Sequence, residues 1–314
     1  MAKYRNALPH LGEGSVALAD GGLETDLIFN RDVNLPHFAA CELLRTERGI
    51  RILTDYYDEV AQIAVDAELP FTIDTVTWRA NPDWTDRLGY SDEEFDEINR
   101  RAVELAEAIR RRHETLTSPM VISAMIGPRG DGYNPSDMRS AREAMDYHAR
   151  QVAIFEDSEA DMIAALTLSY SSEAVGIARA ARAAEMPIAI SFTVETDGRL
   201  ASGETLRDAI DAVEGETSGY PEYYMVNCSH PTHLPADLDS GEPWTLRVRG
   251  YRANASPKSH AELDDSPELD DGDPDELANQ IVDLRERMPQ LAVLGGCCGT
   301  DSRHIAALAA ALAS

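Results

Sequence analysis

The feature that most constrains this chain is an alternation. Short apolar runs are each followed by a longer stretch, most with helical periodicity, and the pattern recurs from end to end. VALAD (16–20), FTIDTVT (71–77), VISAMIG (121–127) and DMIAAL (161–166) read as the first four strands. PIAISFTV (187–194), YYMVN (223–227), LRVRGYRAN (246–254) and LAVLGG (291–296) read as the other four, the seventh weakened by its charges. Between them, residues 45–66, 91–112, 138–156, 171–184 and 203–214 are predicted helices. The first carries Ile50, Leu53, Tyr57 and Val60 on one stripe, the second Phe95, Ile98, Val103 and Ile109. A last helix runs from Ser302 to Leu312, with Thr300 or Asp301 as its N-cap. Eight such units predict an α/β fold, a (β/α)8 barrel of the TIM type that makes residues 1–314 one domain. No internal sequence repeat is evident. ELDDSPELDDGDPDE (262–276) is the one biased segment, expected to be a solvated acidic loop ahead of the seventh helix.

Charge and cysteine content narrow the function. The chain has 56 acidic and 28 basic residues, a formal net charge of −28, which disfavours nucleic acid and anionic membranes as partners. No run approaches the ~18 apolar residues of a membrane span, and the first residues lack the apolar core of a signal peptide. A cytoplasmic protein acting on small molecules is expected, and a homo-oligomer is compatible with this. Four cysteines in 314 residues are not a secreted disulfide framework.

The placement of those cysteines points to chemistry. Barrel enzymes carry their active groups at the C-terminal ends of the strands. Cys228, in VNCSHP, follows the sixth strand; Cys297 and Cys298, in LGGCCGT, follow the eighth. Three thiols on one rim make a three-cysteine site with one position left for a substrate, the pattern of a catalytic zinc. The glycines around 295–299 allow a tight turn, and the start of the last helix favours thiolates. His230 and His233 are alternative ligands close to Cys228. Cys41 stands alone and reads as a core residue.

These segments resemble a known family. DGGLETDL (20–27), VNCSHP (226–231) and LGGCCGT (294–300), in this order, are similar to the zinc-dependent homocysteine S-methyltransferases. That family includes the S-methylmethionine and betaine enzymes and the homocysteine-binding half of cobalamin-dependent methionine synthase. SAMIGPRGD (123–131) resembles its third-strand segment, and the likeness runs over roughly residues 16–310. The resemblance implies Zn2+ held by Cys228, Cys297 and Cys298. It implies that Asp20 meets the amino group of the thiol acceptor and that the backbone at Gly21 and Gly22 meets its carboxylate. The implied reaction moves a methyl group from an onium donor, a sulfonium or betaine-like ammonium, to homocysteine, giving methionine. Zinc would activate the acceptor sulfur rather than the donor.

One position departs from the family. Its fourth strand ends in a glutamate, then a threonine; here Leu166 stands in place of the glutamate, while Thr167 is kept. Losing a carboxylate that faces an ammonium is not neutral, because a buried charge without a partner costs several kcal/mol, roughly 3–5. Either another acid compensates, or the acceptor is a thiol without an amino group. Trp78 and Trp84, in TWRANPDW, are candidates for cation–π contact with the donor, and Arg79 between them for its carboxylate. Asn227 and Asn254 are candidates for orienting substrates, or turn residues bonding their own backbone. A further reading is a zinc-binding barrel without catalysis, closed by a fourth ligand such as His230.

Overall fold

The computed structural model describes residues 2–12, 14–264 and 266–313. Eight parallel strands close into a barrel in sequence order. They are β1 (Ala17–Leu18), β2 (Phe71–Asp74), β3 (Met120–Ile126), β4 (Met162–Leu168), β5 (Ile188–Phe192), β6 (Tyr223–Ser229), β7 (Val248–Ala253) and β8 (Val293–Gly296). Closure is made by β1 against β8, with Ala17 opposite Val293 and Leu18 opposite Leu294. Most strand residues are buried on both faces, which is why these segments read as near-continuous apolar runs rather than as alternations.

Seven longer helices surround the barrel: α1 (Glu47–Asp66), α2 (Asp92–His113), α3 (Ala141–Glu156), α4 (Ser171–Ala183), α5 (Leu206–Thr217), α6 (Pro274–Arg287) and α7 (Ser302–Leu312). Their starts are chemically marked. Ser91 and Glu94 form a capping box on α2, Ser140 and Glu143 one on α3, and Asp301 caps α7. One unit is incomplete. After β6 the chain makes only two 3-10 turns, Pro231–His233 and Thr245–Arg247, before β7. Pro231, Pro235, Gly241 and Pro243 interrupt any helical run there.

The acidic segment 262–276 also differs from expectation. It begins inside a short helix, His260–Asp264, and ends inside α6, whose N-cap is Asp273. Two of its acids are engaged: Asp270 with Ser256 and Lys258, and Asp271 with Arg303. Asp265 lies outside the described residues.

Apolar burial falls into two clusters. The larger fills the layer between strands and helices; the smaller includes Val121, Met162, Ala164, Leu166, Tyr223, Met225 and Val293 at alternating strand positions, and so fills the barrel itself. Each fully buried Leu, Val or Met contributes roughly 1.5–3 kcal/mol. Below this layer the N-terminal segment closes the floor. His10 is buried there, its Nε2 3.4 Å from the Tyr223 hydroxyl and its Nδ1 without a partner.

Above it lies a charged layer. Arg252 of β7 points into the lumen and pairs with both Asp20 and Asp74, all three side chains buried. Its Nε also donates to the Gly296 carbonyl at 3.0 Å. Burial pushes the Asp20 carboxyl up to about 7, against the pull of Arg252 and with the push of Asp74.

Two outcomes are expected. Burial, with help from Arg249, pushes His10 down from 6.5 to about 4. The unfolded chain therefore takes up this proton before the folded one does. The His10 contribution is intact above pH 6.5 and drains as pH falls toward 4, by roughly 3 kcal/mol in all. Denaturant midpoints of His10→Gln should fall less steeply than those of the parent across that window. Arg252→Met leaves two buried carboxylates unpaired and should lower unfolding free energy by about 3–5 kcal/mol. A denaturation curve shifted by under ~1 kcal/mol would show that the ion layer does not hold the barrel top together.

Candidate metal and substrate site

The site begins with two departures from strand geometry. β4 slips against β5 between Ala165 and Leu168, and β6 slips against β7 between Asn227 and Ser229. At those points Thr167 has φ 63° and Cys228 has φ 54°. Neither residue adopts this left-handed region freely, and for β-branched Thr167 the conformation is strained, by about 1–3 kcal/mol. The slip turns Cys228 toward the end of β8. There its Sγ lies 2.6 Å from Cys297 Sγ and 3.6 Å from Cys298 Sγ.

The turn after β8 is as tightly specified. Gly299 has φ 83°, and a Cβ on Gly22 would lie 2.3 Å from the Cys297 carbonyl oxygen, so only glycine lets the β1 loop pass under the cysteine pair. Gly22 N–H donates to the Thr300 carbonyl at 3.0 Å. It is therefore tied to the cysteine turn rather than aimed at a substrate carboxylate.

Three soft sulfur donors within 4.8 Å of one another suit a thiophilic ion; two zinc–sulfur bonds of ~2.3 Å at a tetrahedral angle set sulfurs ~3.8 Å apart, near the 3.6 Å between Cys228 and Cys298. All four cysteines are free thiols. Hydrogen bonds from Cys228 and Cys298, with Arg252 behind, hold the Cys297 thiol well below its usual range. Burial pushes Cys41 up to about 12, which leaves it inert in the core. Among the described residues the cluster consists of these cysteines and does not include His230 or His233. His230 Nδ1 pairs with Thr232, and His233 Nε2 with the Pro257 carbonyl, so both shape their own loop.

Two further groups grip Cys228. The Tyr133 hydroxyl donates to its Sγ at 3.1 Å. His260 Nε2 lies 2.6 Å from its carbonyl oxygen, while His260 Nδ1 meets Glu195 at 2.9 Å. The two rings pack together, centroids 4.1 Å apart. Sequence reasoning missed both. Tyr133 follows a segment read as a strand end, and His260 precedes the acidic run without metal-ligand spacing.

The two asparagines brace the site in different ways. Asn227 Oδ1 accepts from Thr167 N at 2.9 Å and from Ser191 Oγ at 2.6 Å, and its Nδ2 donates to Thr167 Oγ1 at 2.8 Å. That Nδ2 also faces Cys297 Sγ at 3.9 Å. Asn227 thus locks the strained Thr167 turn to the sulfur site. Asn254 Nδ2 donates to the Cys228 carbonyl at 3.0 Å, and its Oδ1 is buried without a partner. Neither bonds its own backbone in a turn.

Two cavities meet at the sulfurs. The inner, ≈60 Å3, is lined by the three cysteines, Asp20, Gly21, Gly22, Glu24, Thr167, Asn227, Arg252 and apolar Leu166, Met125 and Val76. The outer, ≈480 Å3, is lined by Arg79, Trp84, Asp131, Asn254, His260 and part of the acidic segment. Thr25, Phe38, Trp78, Tyr133 and Cys298 belong to both. Asp20 reaches the inner wall, but its carboxylate is already paired with Arg252. Glu24 is different: it faces the cavity, makes no ion pair among the described residues, and burial pushes its carboxyl up to about 7. The expected aromatic cage is altered too. Arg79 and Arg87 sit over the Trp84 ring at 3.6 and 4.3 Å, so Trp84 offers a cation no open face.

Known proteins agree with this architecture. The homocysteine S-methyltransferase family profile matches residues 17–312. The chain is 23% identical to homocysteine S-methyltransferase 4 of Zea mays, over 95% of this chain and 90% of that one. It is 26% identical to a selenocysteine Se-methyltransferase of Brassica oleracea var. italica, over 64% of this chain and 62% of the other. In structure it is similar to the metallated homocysteine methyltransferase MmuM of Escherichia coli, with a TM-score of 0.75 and 20% identity, over 94% and 96% of the two chains. With nearly its whole length matched by one family, the chain belongs to the homocysteine S-methyltransferases, a family of thiol-methylating enzymes.

Proposed function

We propose that this protein is a zinc-dependent S-methyltransferase that moves a methyl group from an onium donor to a thiol, homocysteine, giving methionine. The observation that carries this reading is the meeting of three sulfurs, from β6 and β8, on the wall they share with an acidic substrate cavity. Relatives named for homocysteine and selenocysteine, and a metallated form of the Escherichia coli enzyme, support it. Family membership sets aside a barrel that only stores metal. No described helix is long and apolar enough to cross a membrane.

Cys228, Cys297 and Cys298 would hold the zinc. When bound, it supplies the Lewis acidity that lets a thiol lose its proton at neutral pH. The chain's own groups do the rest. Tyr133 O–H and Asn227 N–H temper the charge on Cys228 and Cys297. Leu166, Met125 and Val76 keep the sulfur end of the cavity apolar, where a nucleophile is poorly hydrated. As the new carbon–sulfur bond forms, the donor's carbon–onium bond breaks and its positive charge disappears. Glu24 is the compensating acid for Leu166: a carboxyl group of the same cavity that makes no ion pair among the described residues, placed for the acceptor's ammonium.

A second reading keeps the reaction but gives the acceptor no amino group. Apolar Leu166 and the pairing of Asp20 with Arg252 favour it.

Cys298→Ala should reduce zinc from about one per chain to none and abolish turnover, with circular dichroism unchanged. A variant that keeps metal and rate would end the zinc reading. Glu24→Gln removes one charge-assisted contact, so KM for homocysteine should rise roughly ten- to a hundredfold. KM for a mercaptoalkanoate without an amine should stay put. Equal KM values before and after substitution would assign the acceptor to the second reading.

A further inference from the structure

The outer cavity contains a charge that the chain does not neutralise. Arg79 follows Trp78 on the segment after β2, and its guanidinium stacks on two indoles, 4.5 Å from the Trp78 centroid and 3.6 Å from Trp84. The sandwich holds a planar fork in one orientation. Among the described residues Arg79 makes no ion pair and no hydrogen bond, and its Nε is buried without a partner. Arg139, Arg247 and Arg285 also have an unpartnered Nε, but the first two bond through their terminal nitrogens and Arg285 lines neither cavity.

Of the two arginines that line the cavities, Arg252 is paired and Arg79 is not, in a chain with 56 acidic residues against 28 basic. Asp131 is the acid that acts on Arg79 most strongly. Its Oδ1, however, accepts from the backbone amides of Tyr133 at 2.8 Å and Asn134 at 3.2 Å, which keeps it in its own loop. Burial pulls Arg79 down to about 10, so it stays charged at neutral pH. A desolvated, pre-oriented and unpaired guanidinium facing a cavity of ≈480 Å3 is a receptor for a planar anion.

Which substrate carries that anion follows from the layout. Arg79 lines the outer cavity and not the inner one, where the sulfurs and Glu24 lie. The inner cavity suits the acceptor, whose sulfur must reach the cysteines. A donor in the outer cavity puts its methyl group at the shared neck, beside Trp78 and Tyr133. The outer wall also carries Asp131, Glu268 and Asp270, which repel a dianion but accept a zwitterion.

We propose that Arg79, clamped between Trp78 and Trp84, anchors the carboxylate of a zwitterionic methyl donor. This rests on the methyl-transfer reading and adds the residue that holds and selects the donor's carboxylate.

The test compares two sulfonium probes that differ in one group: dimethylsulfoniopropionate, which has a carboxylate, and trimethylsulfonium, which has none. Glycine betaine serves as a second zwitterion. Tryptophan fluorescence reports binding directly, because both indoles touch Arg79. The parent should give a saturable signal with a zwitterion. Arg79→Met should weaken that binding at least tenfold, and Arg79→Lys, which keeps charge without the fork, by several-fold. Neither should change trimethylsulfonium binding. In turnover, Arg79→Met should raise the donor KM ten- to a hundredfold with thiol KM unchanged. If circular dichroism shows the methionine variant misfolded, the lysine variant alone decides. Equal weakening of both sulfonium probes, no weakening of either, or a parent that binds neither zwitterion overturns the anchor. Should the anchor hold while no onium donor methylates any thiol, the transfer reading fails instead.

Discussion

Everything at this site depends on barrel closure. β1 and β8 are the first and last strands, and only their pairing brings the DGG turn against the cysteine pair. The contact permits no side chain: a Cβ on Gly22 would run into the Cys297 carbonyl. Gly22 N–H and Thr300 then stitch the two turns together. A sulfur cluster whose members come from β6 and from the turn after β8 is thus assembled only when the whole sheet is in register. Long-range closure of this kind is slow to form, but it makes the site report on the integrity of the fold.

Charge is the second theme. The lumen holds Arg252 between the carboxyl groups of Asp20 and Asp74, so the layer beneath the sulfurs carries no net positive charge. With zinc bound, three cysteinates would make the site anionic. Such a site tolerates a divalent cation well and a cationic methyl donor nearly as well. It gives an anionic substrate group no partner except where an arginine is left unpaired, and in the substrate cavities Arg79 is in that position. The field of the protein and the geometry of the cavity therefore point the same way. The cationic end of a donor is drawn toward the sulfurs, and its anionic end is held away from them.

Much of this was legible in the residues. The strand count, the helices and the convergence of Cys228 with Cys297 and Cys298 followed from periodicity and from the rule that barrels put chemistry at strand ends. What was not legible depended on direction rather than type. LRVRGYRAN read as a weak strand because of its charges, yet those charges mark the one place where an arginine points into a barrel and finds acids on β2 and after β1. Tyr133 and His260 act on Cys228 through loop positions that carry no period. Glu24 sits inside the DGGLETDL segment, but nothing in its spacing says that it faces the inner cavity without an ion pair among the described residues. The eight-unit pattern did not anticipate the missing helix after β6, where prolines and a glycine leave the connection as two short turns.

Strain ties these parts together. Thr167 and Cys228 both sit in left-handed backbone at strand slips, and one residue, Asn227, contacts both ends of the problem. Its carbonyl oxygen holds Thr167 N and Ser191 Oγ, and its amide faces Cys297. Two strained turns of about 1–3 kcal/mol each persist only where the surroundings over-determine them. Here the surroundings are a buried amide with its nearest groups satisfied and a carbonyl of Cys228 held by both Asn254 and His260. Relaxing either slip would swing Cys228 away from β8 and separate the sulfurs. The backbone therefore keeps its unfavourable angles because they hold three thiols close enough to share one ion.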